Sequence, residues 1–227
     1  MSSSPRAADG RLDARPTGEP TGMRPAPGVS ALDLGPGAEV LLAVPPGEVH
    51  GLLVFFHGAG GSAANALQAV GDPAAARGVA VLAPTSTAAT WDLIAGGLGR
   101  DVAVLDAALA QVFDRLPVSR VALGGFSDGA SYALSLGIAN GELADAVLAF
   151  SPGFRAAPGR YGRPRFWISH GTQDRILPVE RCGRRVAADL RAEGYGVTYE
   201  EFTGGHVITP DLVDAALGSW LDGPAGR

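Results

Sequence analysis

Ser127 stands at the centre of Gly125-Phe126-Ser127-Asp128-Gly129, directly after the apolar run Val121-Ala122-Leu123 and ahead of an Ala-rich segment. A short strand that passes through Gly-x-Ser-x-Gly into a helix is the sequence form of a nucleophile elbow, a strained turn that holds the serine hydroxyl outward. So tight a turn has no room for side chains two positions before or after the serine, and both positions are glycine. A hydroxyl is a weak nucleophile at neutral pH. It needs a base to take its proton and an acid to orient that base. The pentapeptide alone arises easily by chance in a chain with 33 glycines, so its partners must carry the assignment.

The base is expected in Thr203-Gly204-Gly205-His206, after the last predicted strand and before the last predicted helix. In a parallel sheet the C-terminal strand ends share one edge, and a His on a Gly-Gly loop there can reach a serine elbow. The other histidines have weaker claims. His50 sits in a turn, and His57 and His170 each end a strand before a glycine, where an imidazole can brace a loop. The acid is expected after a later strand on the same edge. Arg165–Ser169 runs into His170-Gly171-Thr172-Gln173-Asp174, which makes Asp174 the candidate to orient His206. Asp128 follows the nucleophile immediately and should point elsewhere. Glu180 falls within a predicted helix.

Attack on a carbonyl creates an oxyanion, which backbone N–H groups can hold. One donor should be the N–H of Asp128, the residue after the nucleophile. The second should come from His57-Gly58-Ala59-Gly60-Gly61, after an early strand; Ala59 is favoured, with Gly58 and Gly60 as neighbours. A phosphate-binding loop is the competing reading of these glycines, but all 18 basic residues are Arg and a P-loop needs Lys. Trp91, Phe154, Ile176 and Leu177 are candidates to line a substrate cleft.

Around these residues strands and helices alternate. Strands are expected at 39–44, 51–56, 79–83, 120–124, 146–150, 165–169 and 196–202. Helices are expected at 62–70, 101–116, 130–138, 178–191 and 210–221. Positions 102, 104, 105, 108, 109, 112, 113 and 116 are apolar at helical spacing, and Pro178 and Pro210 suit the first turn of a helix. This alternation predicts an α/β domain over 31–227 with a mostly parallel sheet covered on both faces. Residues 1–30, rich in turn formers, read as a flexible N-terminal arm.

Composition narrows the functional classes. The chain has 227 residues, 46% hydrophobic and 18% charged, enough for a sizeable core. A net charge of −5 argues against nucleic-acid binding. One cysteine, Cys182, allows no intrachain disulfide. No stretch approaches the roughly 20 apolar residues of a membrane span. The first residues show no apolar signal core, so a cytoplasmic protein without stable membrane insertion is expected.

From about residue 35 to 222 the chain resembles the serine carboxylesterases of the phospholipase/carboxylesterase group within the α/β-hydrolase superfamily. The likeness rests on Phe56-His57-Gly58, Gly124 through Gly129, Ser151-Pro152-Gly153, His170-Gly171-Thr172-Gln173-Asp174 with Pro178, and Gly205-His206. It implies an α/β-hydrolase fold. It also implies a triad of Ser127, Asp174 and His206, and hydrolysis of small-molecule carboxylic esters with no cofactor and no metal. Short-to-medium acyl groups are expected, because no inserted lid is visible. Acyl transfer, or thioesterase or lysophospholipase activity, would use the same triad; a non-catalytic binding module is the alternative of another class. Asp128 stands where the group commonly has Gln. Trp91 and Gly99-Arg100-Asp101-Val102 are similar to the feruloyl-esterase and polyhydroxyalkanoate-depolymerase relatives. The oligomeric state is left open.

Overall fold

A computed structural model of the protein describes residues 6–223. Eight strands form one sheet in the order β1-β2-β4-β3-β5-β6-β7-β8. They are β1 (Gly28–Ala31), β2 (Val40–Val44), β3 (Gly51–Phe56), β4 (Val79–Pro84), β5 (Val121–Phe126), β6 (Ala146–Phe150), β7 (Arg165–Gly171) and β8 (Val197–Phe202). The pairs β1–β2 and β2–β4 are antiparallel, and the pairs from β4 through β8 are parallel. The helices are α1 (Ala63–Ala76), α2 (Asp92–Ala95), α3 (Arg100–Arg115), α4 (Asp128–Ala139), α5 (Gly183–Ala192) and α6 (Pro210–Leu221).

The predicted mostly parallel sheet covered on both faces is the observed architecture. Every residue of β3 is buried. Its side chains alternate between two cores, as the strand period demands. Leu52, Val54 and Phe56 face a core completed by α3, α4 and α5, whereas Leu53 and Phe55 face one completed by α1 and α6. Each such side chain contributes about 1.5–3 kcal/mol on burial. Parallel strands all present their C-terminal ends to one edge, so the loops after β3, β5, β7 and β8 converge there.

Four local expectations needed revision. The segment read as a flexible arm lies against the domain from Arg6 onward; residues 1–5 are outside the described residues. Ala7 and Leu12 are buried. Asn140 donates from Nδ2 to the Gly10 carbonyl at 2.7 Å and accepts the Leu12 N–H at 2.9 Å. Asp106 accepts the N–H groups of Asp13 and Ala14. Gly28–Ala31 then extends the sheet as β1. Side-chain donors and acceptors on and beside distant helices satisfy this backbone, so no local periodicity announced its order.

Helix α1 runs on to Ala76 through Pro73, past the expected end at Val70. Val70 and Ala74 are one turn apart and both buried, so packing outweighs the hydrogen bond that proline cannot donate. Helix α5 begins at Gly183 rather than Pro178; the intervening residues form a turn. The short α2 went unpredicted, a single turn held by neighbouring side chains.

Candidate active site

Strand β5 enters the site at Phe126 and α4 leaves it at Asp128, with Ser127 between them at φ 58° and ψ −118°. A non-glycine residue at positive φ costs on the order of 1–3 kcal/mol, and such strain gathers at functional sites. The surroundings enforce it. The Ser127 N–H donates to the Phe150 carbonyl, at the end of the adjacent strand β6. A Cβ on Gly125 would lie 2.3 Å from the Gly129 carbonyl oxygen, and one on Gly129 would lie 2.1 Å from that of Phe56. Both glycines of the motif are therefore sterically required.

Ser127, His206 and Asp174 are brought together. His206 Nε2 lies 2.8 Å from Ser127 Oγ, and His206 Nδ1 lies 2.6 Å from Asp174 Oδ2. A carboxylate only accepts, so Nδ1–H donates to Asp174 and Nε2 is free to accept the Ser127 proton. Asp174 has a fully buried side chain. Its Oδ1 accepts the N–H groups of Ile176 at 2.9 Å and Leu177 at 2.8 Å. Burial pushes its carboxyl upward, but the Leu177 N–H, His206 and the Ile176 N–H outweigh that and hold it below the ordinary carboxylate value. Asp174 therefore stays ionised opposite the imidazole. The Phe126 ring packs on His206 with centroids 4.7 Å apart.

The His206 loop is fastened to the Asp174 loop. Gln173 N–H donates to the Gly204 carbonyl, and Thr172 N–H to that of Phe202. Beneath them lies His170, fully buried. Its Nε2 donates to the Leu177 carbonyl at 2.7 Å and sits 3.2 Å from Asp174 Oδ2, while its Nδ1 is without a partner among the described residues. A Cβ on Gly183 would come within 2.6 Å of that ring nitrogen. This close approach accounts for glycine at the start of α5.

On the opposite side, the Gly58-Ala59-Gly60 loop follows β3. Gly58 is next to the elbow: its Cβ would be 3.5 Å from that of Ser127. Neither the Ala59 N–H nor the Asp128 N–H donates to an acceptor among the described residues. The loop is braced by His57. Its Nδ1–H donates to the Gly58 carbonyl at 2.6 Å, and its Nε2 accepts the Ser86 N–H at 3.0 Å. Burial lowers the His57 pKa against the pull of the Gly58 carbonyl, which favours this neutral tautomer. The Asp128 carboxylate points away from Ser127 and accepts from Thr90 Oγ1 at 2.8 Å.

Trp91 does not line a cleft. It is 1% exposed, donates from Nε1 to the His57 carbonyl at 2.9 Å and stacks on Tyr132. It supports the glycine loop from below, because a large ring with one N–H finds both an apolar slot and an acceptor there. Phe154 and Ile176 are exposed and Leu177 is half-buried. Leu177 packs over Gly153, whose N–H, like that of Phe154, donates to Ser131 Oγ. Ile176 and Leu177 are tied through their N–H groups to Asp174, and Phe154 to Ser131, one helical turn beyond Ser127.

The sequence reading missed the supporting carboxylates. Asp92 Oδ2 accepts the N–H groups of Gly99 and Asp101, and Asp101 accepts those of Thr87 and Asp92. Two acids thus fold the 85–101 segment beneath the glycine loop. The Asp92 carboxyl is raised by burial and then by the Asp101 charge. Asp101 at a helix start was the one legible signal. The Cys182 thiol is pushed up by burial, which suits an inert side chain. Among the described residues no group of three or more His, Cys, Asp or Glu could hold a metal ion, and no helix is long and apolar enough to cross a membrane.

Solved structures share this arrangement of elements. Esterase PE8 is similar over 85% of this chain and 97% of its own, at 22% identity and a TM-score of 0.65. The S-formylglutathione hydrolase from Agrobacterium tumefaciens is similar over 88% of this chain and 98% of its own, at 16% identity and a TM-score of 0.65. The fold is that of the α/β-hydrolases. TT1662 from Thermus thermophilus is a further similar structure, over 86% of this chain and 99% of its own, at 25% identity and a TM-score of 0.60. No protein-family model matches the sequence, and no curated protein does. In this fold the elbow, the glycine loop and the Asp174 and His206 loops occupy the C-terminal edge of the sheet, where such sheets bind ligands.

Proposed function

We propose that the protein is a serine hydrolase that cleaves carboxylic esters through an acyl-enzyme. The continuous path Asp174–His206–Ser127, at 2.6 and 2.8 Å, carries this reading. The esterases and the S-formylglutathione hydrolase among the similar structures support it.

In this reading Ser127 Oγ attacks the ester carbonyl while its proton passes to His206 Nε2. Asp174 holds the imidazole in the required tautomer and stabilises the imidazolium that forms. The Ala59 and Asp128 N–H groups receive the oxyanion, each such donor being worth about 10²–10³ in rate. His206 returns the proton to the leaving alcohol. A water then attacks the acyl group by the reverse proton path, and the carboxylic acid departs. The exposed side chains of Phe154 and Ile176 favour short-to-medium acyl chains over a lipid tail needing a deep tunnel.

Hydrolysis of p-nitrophenyl esters from acetate to palmitate, for wild type and Ser127→Ala, tests the proposal. Turnover that requires Ser127 and is greatest at short or medium chains is the expected result. Equal activity of the two proteins would remove Ser127 from the chemistry. A maximum at palmitate would contradict the chain-length reading.

A further inference from the structure

A cavity of about 440 Å³ lies in the segment that follows β6, lined by Gly153, Phe154, Arg155, Arg160, Arg181 and Arg185 among others. It adjoins the proposed nucleophile through a short chain of contacts. Ser131, one helical turn beyond Ser127, donates to the Ser127 carbonyl at 3.3 Å and accepts the Gly153 N–H at 3.0 Å. Ser131 thus ties Gly153, in the wall of the cavity, to the backbone of Ser127.

The charge of this wall is not balanced. Arg155 and Arg160 share one carboxylate, Glu193, which Arg155 grips through both terminal nitrogens. The Arg185 guanidinium has only Asp189, 3.9 Å away and too far for a hydrogen bond. The Arg181 guanidinium has no ion pair or hydrogen bond among the described residues, although its backbone N–H is bonded to Pro178. Four guanidinium groups therefore face two carboxylates, in a protein whose net charge is −5. Positive charge gathered at a concave site focuses the field and draws anions. Guanidinium forks match carboxylate and phosphate geometry.

We infer that this cavity receives an anionic group of the ester substrate, so that the preferred substrates are esters carrying a carboxylate or phosphate. The inference rests on the esterase reading of Ser127. Arg155, fixed by Glu193, forms a rigid wall, and Arg181 and Arg185 supply the free donors. Phe154, 39% exposed, lines the same cavity next to Gly153 and offers an apolar surface beside the arginines.

The charge could sit on either half of the ester, and two pairs of probes separate these cases. Hydrolysis of p-nitrophenyl hemiglutarate is compared with that of p-nitrophenyl valerate for an acyl-side anion. Hydrolysis of 4-acetoxybenzoate is compared with that of its methyl ester for an alcohol-side anion. In at least one pair kcat/KM should favour the charged ester by about tenfold at low ionic strength. That ratio should fall towards one in the double variant Arg181→Gln/Arg185→Gln, and in wild type at 1 M salt, where screening is short-ranged. Ser127-dependent cleavage without preference in either pair would overturn the inference and leave the esterase reading standing. A preference that survives the double substitution would overturn it too. Absence of Ser127-dependent cleavage of all four esters would remove both.

Discussion

A β-carbon on Gly171 would lie 2.3 Å from the carbonyl oxygen of Gly205, inside the space that loop already fills. The last residue of β7 is therefore pressed against the loop that carries His206. This packing, with the Gln173 and Thr172 hydrogen bonds, sets the spacing between Asp174 and His206. Gly171→Ala must push the His206 loop away. Misplacement by about 1 Å can cost 10²-fold in rate, so kcat should fall by about that factor while KM changes little. Steady-state kinetics on a short p-nitrophenyl ester check this.

Asp174→Asn keeps the shape of the site but replaces an acceptor-only group. The amide can donate to His206 Nδ1 and select the wrong tautomer. A loss of about 10⁴ in kcat is expected. Retention of more than a tenth of wild-type kcat would exclude Asp174 as the orienting acid.

His170 is a positioning residue beneath the site. Its Nε2–H satisfies the Leu177 carbonyl and approaches Asp174 Oδ2. His170→Phe leaves that carbonyl unpaired in a buried setting, at a cost of about 1–3 kcal/mol in unfolding. If the residue also positions Asp174, kcat should drop about tenfold with KM within twofold, a split that loss of stability alone does not produce. Chemical denaturation and kinetics on the same variant read both effects.

Trp91→Ala should act on stability. Removing a buried indole costs about 3–5 kcal/mol and leaves the His57 carbonyl without its donor. Thermal unfolding should shift down, whereas the order of preference along the acyl-chain series should not change. A changed preference with unchanged unfolding would return Trp91 to the cleft.

Acid should loosen the glycine loop before it neutralises Asp174. Burial depresses the folded pKa of His57, so the unfolded chain takes up a proton first. The stability linked to neutral His57 is present above its ordinary value of about 6.5 and is lost as pH falls towards the folded value. Protonation also turns Nε2 into a donor facing the Ser86 N–H. The thermal midpoint should decline from pH 7 to pH 5, and less steeply in His57→Gln. Asp174, held below the ordinary carboxylate value, contributes a further loss only below about pH 4.

The sequence by itself determined the alternation of strands and helices and the positions of Ser127, Asp174 and His206. Those signals are local: an apolar run buried on both faces, glycines that a tight turn requires, and loops that a parallel sheet sends to one edge. The caps the structure shows at Ser62 of α1 and Thr209 of α6 are equally local, since a cap acts within three residues. What the tertiary structure decided depends on partners far apart in sequence. Trp91 belongs under the glycine loop because the His57 carbonyl is there to accept its N–H. Residues 6–14 are ordered because Asn140 and Asp106 offer acceptors. Position 183 is glycine because a β-carbon there would meet the His170 ring. Long-range packing sets all three, and periodicity along one strand or helix has no access to it.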